Sequence, residues 1–375
     1  MNRRLDSLDV LRGADLFFLV ALGPIFWALD QAAGCEWLHS SIWWIFRHVD
    51  WEGFAPWDII MPLFMFMSGI TIPFALERYR REGNTAKAVW RIVRRVAMLW
   101  LLGMICQGNI LALDPNRIYL FTNTLQAIAV GYGVAAIAYL FTRTPTQVVL
   151  SALLLILYWV AMELITVDGF GGGDYTPSAN LAEWVDREVL GRWRDQATVV
   201  DGVVAWGAGY HYTWILSSLT FAFTGLSGML AGVLIRSERS DREKLIWLFG
   251  GGAAMVAVAL LWSVWLPIIK TIWTSSMALF ASGVSMLLLG IAYYIVDYKG
   301  YKRHTEWLKV YGMNSIAAYM LSEVVNFRGI AHSLLYGLEQ YMGTAWYALL
   351  LCLCQVATIY LILWVMYRKK IFIKV

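Results

Sequence analysis

The sequence predicts an all-α, polytopic membrane protein, and three observations carry that prediction. Of its 375 residues, 59% are hydrophobic and only 15% are charged, and the mean hydropathy is +0.59. Twenty Trp and nineteen Tyr are typical of the aromatic belts at the two membrane surfaces. Apolar stretches of about 20 residues, enough to cross a hydrocarbon core of about 30 Å, recur along the chain. We therefore expect a single transmembrane domain over residues 1–375.

Ten apolar stretches predict about ten transmembrane helices. The first follows the positive charges at the N-terminus without a small-residue cleavage site, so we expect it to be retained as a span. The predicted spans cover residues 10–29, 59–76, 96–113, 119–141, 148–167, 213–235, 245–266, 271–296, 310–325 and 345–366.

The distribution of Lys and Arg predicts the orientation of these spans. If both termini are cytoplasmic, the inner segments hold 23 of the 30 cations, as the positive-inside rule requires. The longest outer connection is then residues 168–212, which contains seven acidic residues and a glycine-rich run. Connections of this length are functional or disordered more often than not. A role in sugar binding or gating and a plain surface loop both remain open for it.

His48 lies where the outer connection meets the second predicted span. It belongs to the string R-H-V-D-W-E-G-F at residues 47–54, which leads into an apolar run. An imidazole titrates near neutrality, so it can take a proton from an amine or hydroxyl, or be acylated itself. Asp50 and Asp58 are both candidates to hold one tautomer of the ring. The alternative is a histidine of the aromatic belt that contributes packing and one hydrogen bond.

Polar side chains within the predicted spans are the other candidates for a site. Unpaired polar groups are costly in hydrocarbon, so each one needs a partner or a cavity. They either line a substrate path or hydrogen-bond within and between helices. These residues are Asn123, Gln126, Thr274, Ser275, Ser276, Asn314, Ser315 and Glu323.

Several classes of function find no support in the sequence. The four cysteines form neither a disulfide framework nor a zinc motif, and we expect no metal site. There is no P-loop, nucleophile elbow or dinucleotide fingerprint, and no convincing internal repeat. We interpret the net charge of +4 as a consequence of topology, and it gives no reason to expect nucleic acid as a partner.

Five strings, in order along the chain, resemble the heparan-alpha-glucosaminide N-acetyltransferase family of transmembrane acyltransferases and its bacterial relatives. The longest is H-V-D-W-E-G-F-A-P-W-D-I-I-M-P-L-F-M-F-M-S-G at residues 48–69, whose histidine is the residue proposed as catalytic in the family. The others are R-L-D-S-L-D-V-L-R-G at 4–13, T-L-Q-A-I-A at 124–129, K-T-I-W-T-S-S at 270–276 and G-M-N-S-I-A-A-Y at 312–319.

This resemblance implies transfer of an acetyl group from cytosolic acetyl-CoA, the donor substrate, to an amino sugar of the glucosamine type or an oligosaccharide. The acceptor site would face the periplasm across a bacterial inner membrane, and the family likeness implies a homodimer in the lipid bilayer. His48 would act as general base or transient acyl carrier, assisted by Asp50 or Asp58. The residues expected to bind acetyl-CoA or the acceptor are Asn123, Gln126, Lys270, Trp273, Ser275, Ser276, Asn314 and Ser315.

The chain departs from the family pattern at two positions. Gly23 stands where better-known members carry an asparagine linked to the active site, and Ala127 stands where they carry an arginine. An extra N-terminal luminal domain is also not expected, which indicates the bacterial type. The alternatives to acetyl transfer onto nitrogen are an O-acetyltransferase of envelope polysaccharide, a secondary transporter for a sugar or organic solute, and a non-catalytic scaffold.

Overall fold

The computed structural model describes residues 5–206 and 212–373, and these residues are mostly helical. Short 3-10 or π turns join or extend several of the helices. In chain order the α-helices are α1 (Asp6–Phe17), α2 (Gly23–Ala33), α3 (Glu36–Phe46), α4 (Ile60–Arg81), α5 (Thr85–Cys106), α6 (Thr124–Phe141), α7 (Thr144–Leu164), α8 (Leu181–Leu190), α9 (Ser218–Arg236), α10 (Asp241–Trp262), α11 (Ser275–Ala292), α12 (Glu306–Met313), α13 (Ser315–Val324), α14 (Phe327–Leu335), α15 (Glu339–Met342) and α16 (Thr344–Arg368).

The helical architecture confirms an all-α polytopic membrane protein. In the part of the chain that the structure describes, eight helical stretches are long and apolar enough to cross a membrane. The other two predicted spans differ from a plain apolar helix. The stretch at residues 96–113 corresponds to the second half of α5, whose first half carries four basic residues. The stretch at 310–325 is divided into α12 and α13 at Asn314, whose backbone is not helical.

One compact unit comprises residues 5–48, 55–60 and 288–373. In it α1, the π turn Phe18–Leu22 and α2 run on as one helical stretch, α12 packs along α1, and α16 packs along α2. A Cβ atom on Gly13 or Gly312 would overlap the backbone of the facing helix. Close backbone contact of this kind stabilises helix pairs in lipid, where the hydrophobic effect does not drive helices together.

The second compact unit comprises residues 49–54 and 61–287. Here α6 packs between α5 and α9, and α7 packs on α9. Glycines again allow the backbones to touch, because Gly225 of α9 faces the backbone of Gly131 in α6, and Gly228 faces the carbonyl of Phe66 in α4.

The predicted outer loop at residues 168–212 contains secondary structure. A short hairpin, β1 (Thr166–Val167) with β2 (Phe170–Gly171), precedes α8, and a second hairpin, β3 (Ala197–Val200) with β4 (Val203–Trp206), follows it. Asn180 caps the start of α8, and its side chain accepts the backbone N–H of Glu183 at 2.9 Å. Residues 207–211 of the predicted loop lie outside the described residues.

The contact between α9 and α6 predicts that replacement of glycine by alanine destabilises the protein at this contact and not at a glycine with open space around it. Gly225→Ala places a methyl group on the backbone of Gly131, and overpacking of this kind costs about 1–3 kcal/mol. We expect its thermal unfolding midpoint, measured in one detergent by scanning fluorimetry, to fall by several degrees.

Gly250→Ala in α10 is the matched control, since a Cβ atom there meets no atom within 4 Å. Alanine is also the better helix former by about 1 kcal/mol. Equal midpoints for the two variants would contradict the assigned packing of α9 on α6.

Candidate functional site

His48 and Asp58 form a hydrogen-bonded pair between the end of α3 and the start of α4. The Nδ1 atom of His48 lies 2.6 Å from Oδ1 of Asp58. The second carboxylate oxygen of Asp58 accepts the backbone N–H of Ala55 at 2.9 Å. The Asp58 side chain is 2% exposed, whereas the His48 side chain is 42% exposed. The carboxylate is therefore fixed and buried while part of the imidazole remains accessible.

This geometry defines what the imidazole can do. When Nδ1–H donates to Asp58, Nε2 keeps a lone pair that can accept a proton or attack an acyl carbon. Of the two carboxylates that the sequence leaves as candidates, Asp58 makes the contact with Nδ1. Asp50 is an exposed residue of the stretch 49–54, which belongs to the second compact unit.

Gly23, where the sequence departs from the pattern of the family that it resembles, lies against Trp57. The indole ring of Trp57, next to Asp58 in sequence, fills the space that a side chain at Gly23 would occupy. Trp57 also packs against Phe18 and Phe46, with ring centroids 5.2 and 5.7 Å away. An asparagine at position 23 would have to displace this ring. The aromatic cluster thus supports the turn that carries Asp58.

Within the second unit, the stretch after His48 meets two other segments that the sequence predicts to be outer. Glu52 pairs with Ile269 as an isolated β-bridge, and the N–H of Gly53 donates to Ile268 at 2.8 Å. The indole N–H of Trp51 donates to the carbonyl of Tyr175 at 2.9 Å. The structure therefore brings together the stretch 49–54, residues 268–269 just before the string 270–276, and the connection 168–212.

Trp273 holds a strained position at the centre of the 270–276 string. Its φ is +48°, a left-handed conformation that costs a bulky residue about 1–3 kcal/mol. The side chain is 1% exposed, and its indole N–H has no hydrogen-bond partner among the described residues. The carbonyl of Trp273 accepts the hydroxyl of Thr220 at 2.7 Å, which helps to hold this backbone. Such strain is most often retained where a site needs it.

Other polar residues of this string have defined surroundings. Lys270 is 6% exposed, and its ammonium lies 6.0 Å from the ring centroid of Tyr212. The hydroxyl of Ser275 donates to the carbonyl of Leu155 in α7 at 2.7 Å, and that of Ser276 donates to Pro267 at 3.0 Å. The two serine hydroxyls therefore connect the start of α11 to neighbouring backbone.

Asn123 and Gln126 form a capping box at the start of α6, so Asn123 precedes the helix and does not share a helical face with Gln126. The Asn123 side chain accepts the N–H of Leu125 at 2.8 Å, and its amide donates to Gln107 at 2.9 Å. The Gln126 side chain accepts two backbone N–H groups and donates to Leu120 at 2.7 Å. Both side chains are fully buried.

Asn314 connects the break between α12 and α13 to the C-terminal segment. Its Nδ2 donates to the carbonyl of Ile371 at 3.0 Å, and its Oδ1 accepts the N–H of Ile373 at 3.1 Å. Ser315 is the first residue of α13. The binding roles of Asn123, Gln126, Asn314 and Ser315 stay predictions. The side chains of the first three already make six hydrogen bonds to backbone groups.

A second histidine–carboxylate pair was not predicted from the sequence. Nδ1 of His39 in α3 lies 2.7 Å from Oδ2 of Asp30 in α2, and Asp30 is buried. The nine-residue separation is not a helical spacing. The contact depends on the reversal at Gly34, whose φ of +57° allows α3 to fold back on α2.

A buried charged cluster in the connection 168–212 was also missed. Arg194 pairs with Glu183, and both side chains are fully buried. Both carboxylate oxygens of Asp186 accept backbone N–H groups, from Trp214 at 2.8 Å and from Ile215 at 2.9 Å. Loss of hydration on burial raises the pKa of Asp186 from 3.8 to about 7, although these N–H groups and Arg194 act in the opposite direction.

Among residues 5–206 and 212–373, no three His, Cys, Asp or Glu side chains converge as metal ligands would.

Two curated proteins align with nearly the whole chain. Heparan-alpha-glucosaminide N-acetyltransferase from Homo sapiens is 24% identical over 433 residues, and the protein of that name from Mus musculus is 24% identical over 431 residues. These alignments support the family relationship that the motifs indicate. Each alignment covers 99% of this chain, and the chain spans about 60% of the length of these relatives. No protein-family model matches the chain.

The raised pKa of Asp186 predicts a pH dependence for the connection that contains α8. Between about pH 4 and 7 the folded state binds a proton that the unfolded state has released, so this residue makes folding less favourable as the pH rises through that range. We expect hydrogen exchange of the segment around Trp214 and Ile215, corrected for intrinsic rates, to be less protected at pH 8 than at pH 5.

Asp186→Asn removes the titrating group and should abolish this dependence, whereas Asp201→Asn in an exposed turn of the same connection should leave it unchanged. Protection that is the same at pH 5 and pH 8 in the protein with Asp186 intact would show that this carboxylate is ionised throughout the range.

Proposed function

We propose that this protein is a transmembrane acetyltransferase that moves an acetyl group from acetyl-CoA to the amino group of a glucosamine-type sugar on the opposite side of the membrane. One observation carries the proposal: a buried carboxylate, Asp58, holds Nδ1 of a partly exposed imidazole, His48. The pair lies in a chain that aligns over 99% of its length with N-acetyltransferases.

The chemistry that this pair supports is acyl transfer from a thioester. The acceptor nitrogen attacks the thioester carbonyl carbon, a C–N bond forms and the C–S bond breaks. Nε2 of His48 takes the proton that the nitrogen loses, and the CoA sulfur leaves as a thiolate that is reprotonated from the imidazolium. Asp58 stabilises the imidazolium that forms in between, as a buried carboxylate does in other triads. In the two-step version, Nε2 itself receives the acetyl group before the acceptor does.

We propose Lys270 and Trp273 as the residues of the 270–276 string that contact substrate. Lys270 offers a cation, and Trp273 offers an indole N–H without a partner among the described residues, so both are donors for a substrate oxygen. Ser275 and Ser276 already donate to backbone carbonyls, so we assign them the role of holding this string in place.

The proposal is tested in sealed proteoliposomes that contain the purified full chain. Acetyl-CoA with a labelled acetyl group is supplied on one side, and a panel of glucosamine, a glucosamine-containing disaccharide and glucose is supplied on the other. We expect label in the amino sugars, attached to nitrogen as determined by mass spectrometry. Label attached to oxygen in glucose as well would indicate an O-acetyltransferase, and sugar flux without acetylation would indicate a transporter.

His48→Ala should lower the acetyl-transfer rate by about 10²–10⁴-fold, because proton transfer by a positioned base contributes that much. Binding of a non-reactive CoA analogue should be retained, as measured by isothermal titration in detergent. A single-turnover reaction without acceptor distinguishes the two mechanisms. Only an acyl carrier leaves labelled acetyl on the protein that retains His48. Full turnover by a folded His48→Ala protein would remove the assignment.

Asp58→Asn should reduce kcat by about 10²–10⁴-fold with little change in KM, because an amide at this position does not enforce the tautomer that leaves Nε2 unprotonated. Asp30→Asn is a closely matched control, since Asp30 makes the equivalent contact with His39 at 2.7 Å. We expect the control to retain activity within about threefold. Equal losses in the two variants would indicate that these pairs act on stability and not on the reaction.

A further inference from the structure

A cleft between α14 and α16, within the first unit, is separate from the residues assigned above. It has a volume of about 400 Å³ and is open on one side. Arg328 and His332 line it from one face of α14, at helical spacing, and Thr344, Tyr347 and Leu351 line it from one face of α16. A cavity of this size suits a small molecule or the headgroup of a lipid.

The polar and apolar parts of the cleft are arranged along the direction of α16. Thr344, where this 25-residue helix begins, is exposed, and Leu351, two turns further on, is buried. Because α16 is long and apolar enough to cross the membrane, its first residue lies near the membrane surface and Leu351 lies nearer the hydrocarbon. The cleft is therefore polar at its rim and apolar at its deeper end.

The rim carries one charge of each sign. Arg328 supplies a cation, and Glu339, the first residue of α15, supplies a carboxylate. The first backbone N–H groups of α16 lack intrahelical partners and add a positive partial charge. Tyr347 is 3% exposed, and its buried hydroxyl has no hydrogen-bond partner among the described residues. An orphaned hydroxyl in the wall of a cleft indicates that a ligand completes it.

We propose that this cleft binds a membrane phospholipid whose headgroup combines a phosphate with a primary ammonium, that is, phosphatidylethanolamine. The phosphate lies against Arg328, the start of α16 and the hydroxyl of Tyr347. The ammonium lies against Glu339, and an acyl chain follows the apolar wall at Ala348 and Leu351. A free anion would face the repulsion of Glu339, and a sugar would leave the deeper wall without polar partners.

The test is native mass spectrometry of the full chain after delipidation and exchange into detergent with one lipid at a time. The lipids are phosphatidylethanolamine, phosphatidylcholine, which lacks N–H donors for Glu339, and phosphatidylglycerol, which lacks the ammonium. We expect phosphatidylethanolamine to be retained most. Arg328→Gln should lower its retention about tenfold, as loss of a charge-assisted hydrogen bond does. Glu339→Gln should abolish the preference for phosphatidylethanolamine over phosphatidylglycerol.

Arg368→Gln, at the opposite end of α16, is the matched control for non-specific lipid around the protein, and circular dichroism checks that each variant keeps its helix content. Equal retention of the three lipids, or an equal loss in the Arg368→Gln variant, would overturn the proposal. Binding of soluble phosphoethanolamine as tightly as of the intact lipid would also overturn it, since the acyl chain would then contribute nothing. If Arg328→Gln does not fold, the altered lipid preference of Glu339→Gln decides the question alone.

Discussion

In hydrocarbon, every backbone N–H and C=O group must find a partner inside the protein, and this constraint shapes every irregular segment of the bundle. Where α6 begins, Asn123 and Gln126 supply the missing partners. Where the 267–276 segment interrupts the helices, hydroxyls of Tyr158, Ser217 and Thr220 hold the carbonyls of Ile272 and Trp273. Where the ninth predicted span breaks, Asn314 holds the C-terminal segment. These polar side chains therefore serve the backbone of the segments that they join.

The pair of His48 and Asp58 is of a different kind. Asp58 gives one oxygen to the backbone of its own turn and the other to an imidazole that is partly exposed, so the bond orients the imidazole and does not only complete the backbone. In the proposed reaction, orientation of the imidazole in advance lowers the entropic and electrostatic cost. The ring of Trp57 against Gly23 stabilises the same turn. The departure at position 23 is therefore accommodated by packing next to the pair.

Several features were predictable because they depend on local sequence. Hydropathy and length placed the helices, and the 48–69 string identified His48 with both of its candidate carboxylates. The cap at Asn123 has a local signature, N-x-x-Q, yet apolar residues before it suggested that the helix began at Tyr119. The pair of His39 and Asp30 had no comparable signal, since it depends on the left-handed turn at Gly34. The cluster of Glu183, Asp186 and Arg194 was not predicted, because it lies in a segment whose composition is that of a polar loop.

The sequence by itself determined that the chain crosses the membrane repeatedly as helices. Each span buries about 20 apolar residues in lipid, and a helix satisfies the backbone hydrogen bonds within the span. It also placed a titratable imidazole beside one of these spans. Only the tertiary structure decided which carboxylate, Asp58 or Asp50, meets Nδ1, and which polar side chains are occupied by backbone. Those outcomes depend on the distances between residues that are not neighbours in sequence, and a hydrogen bond forms only when its distance lies within a window of about half an ångström.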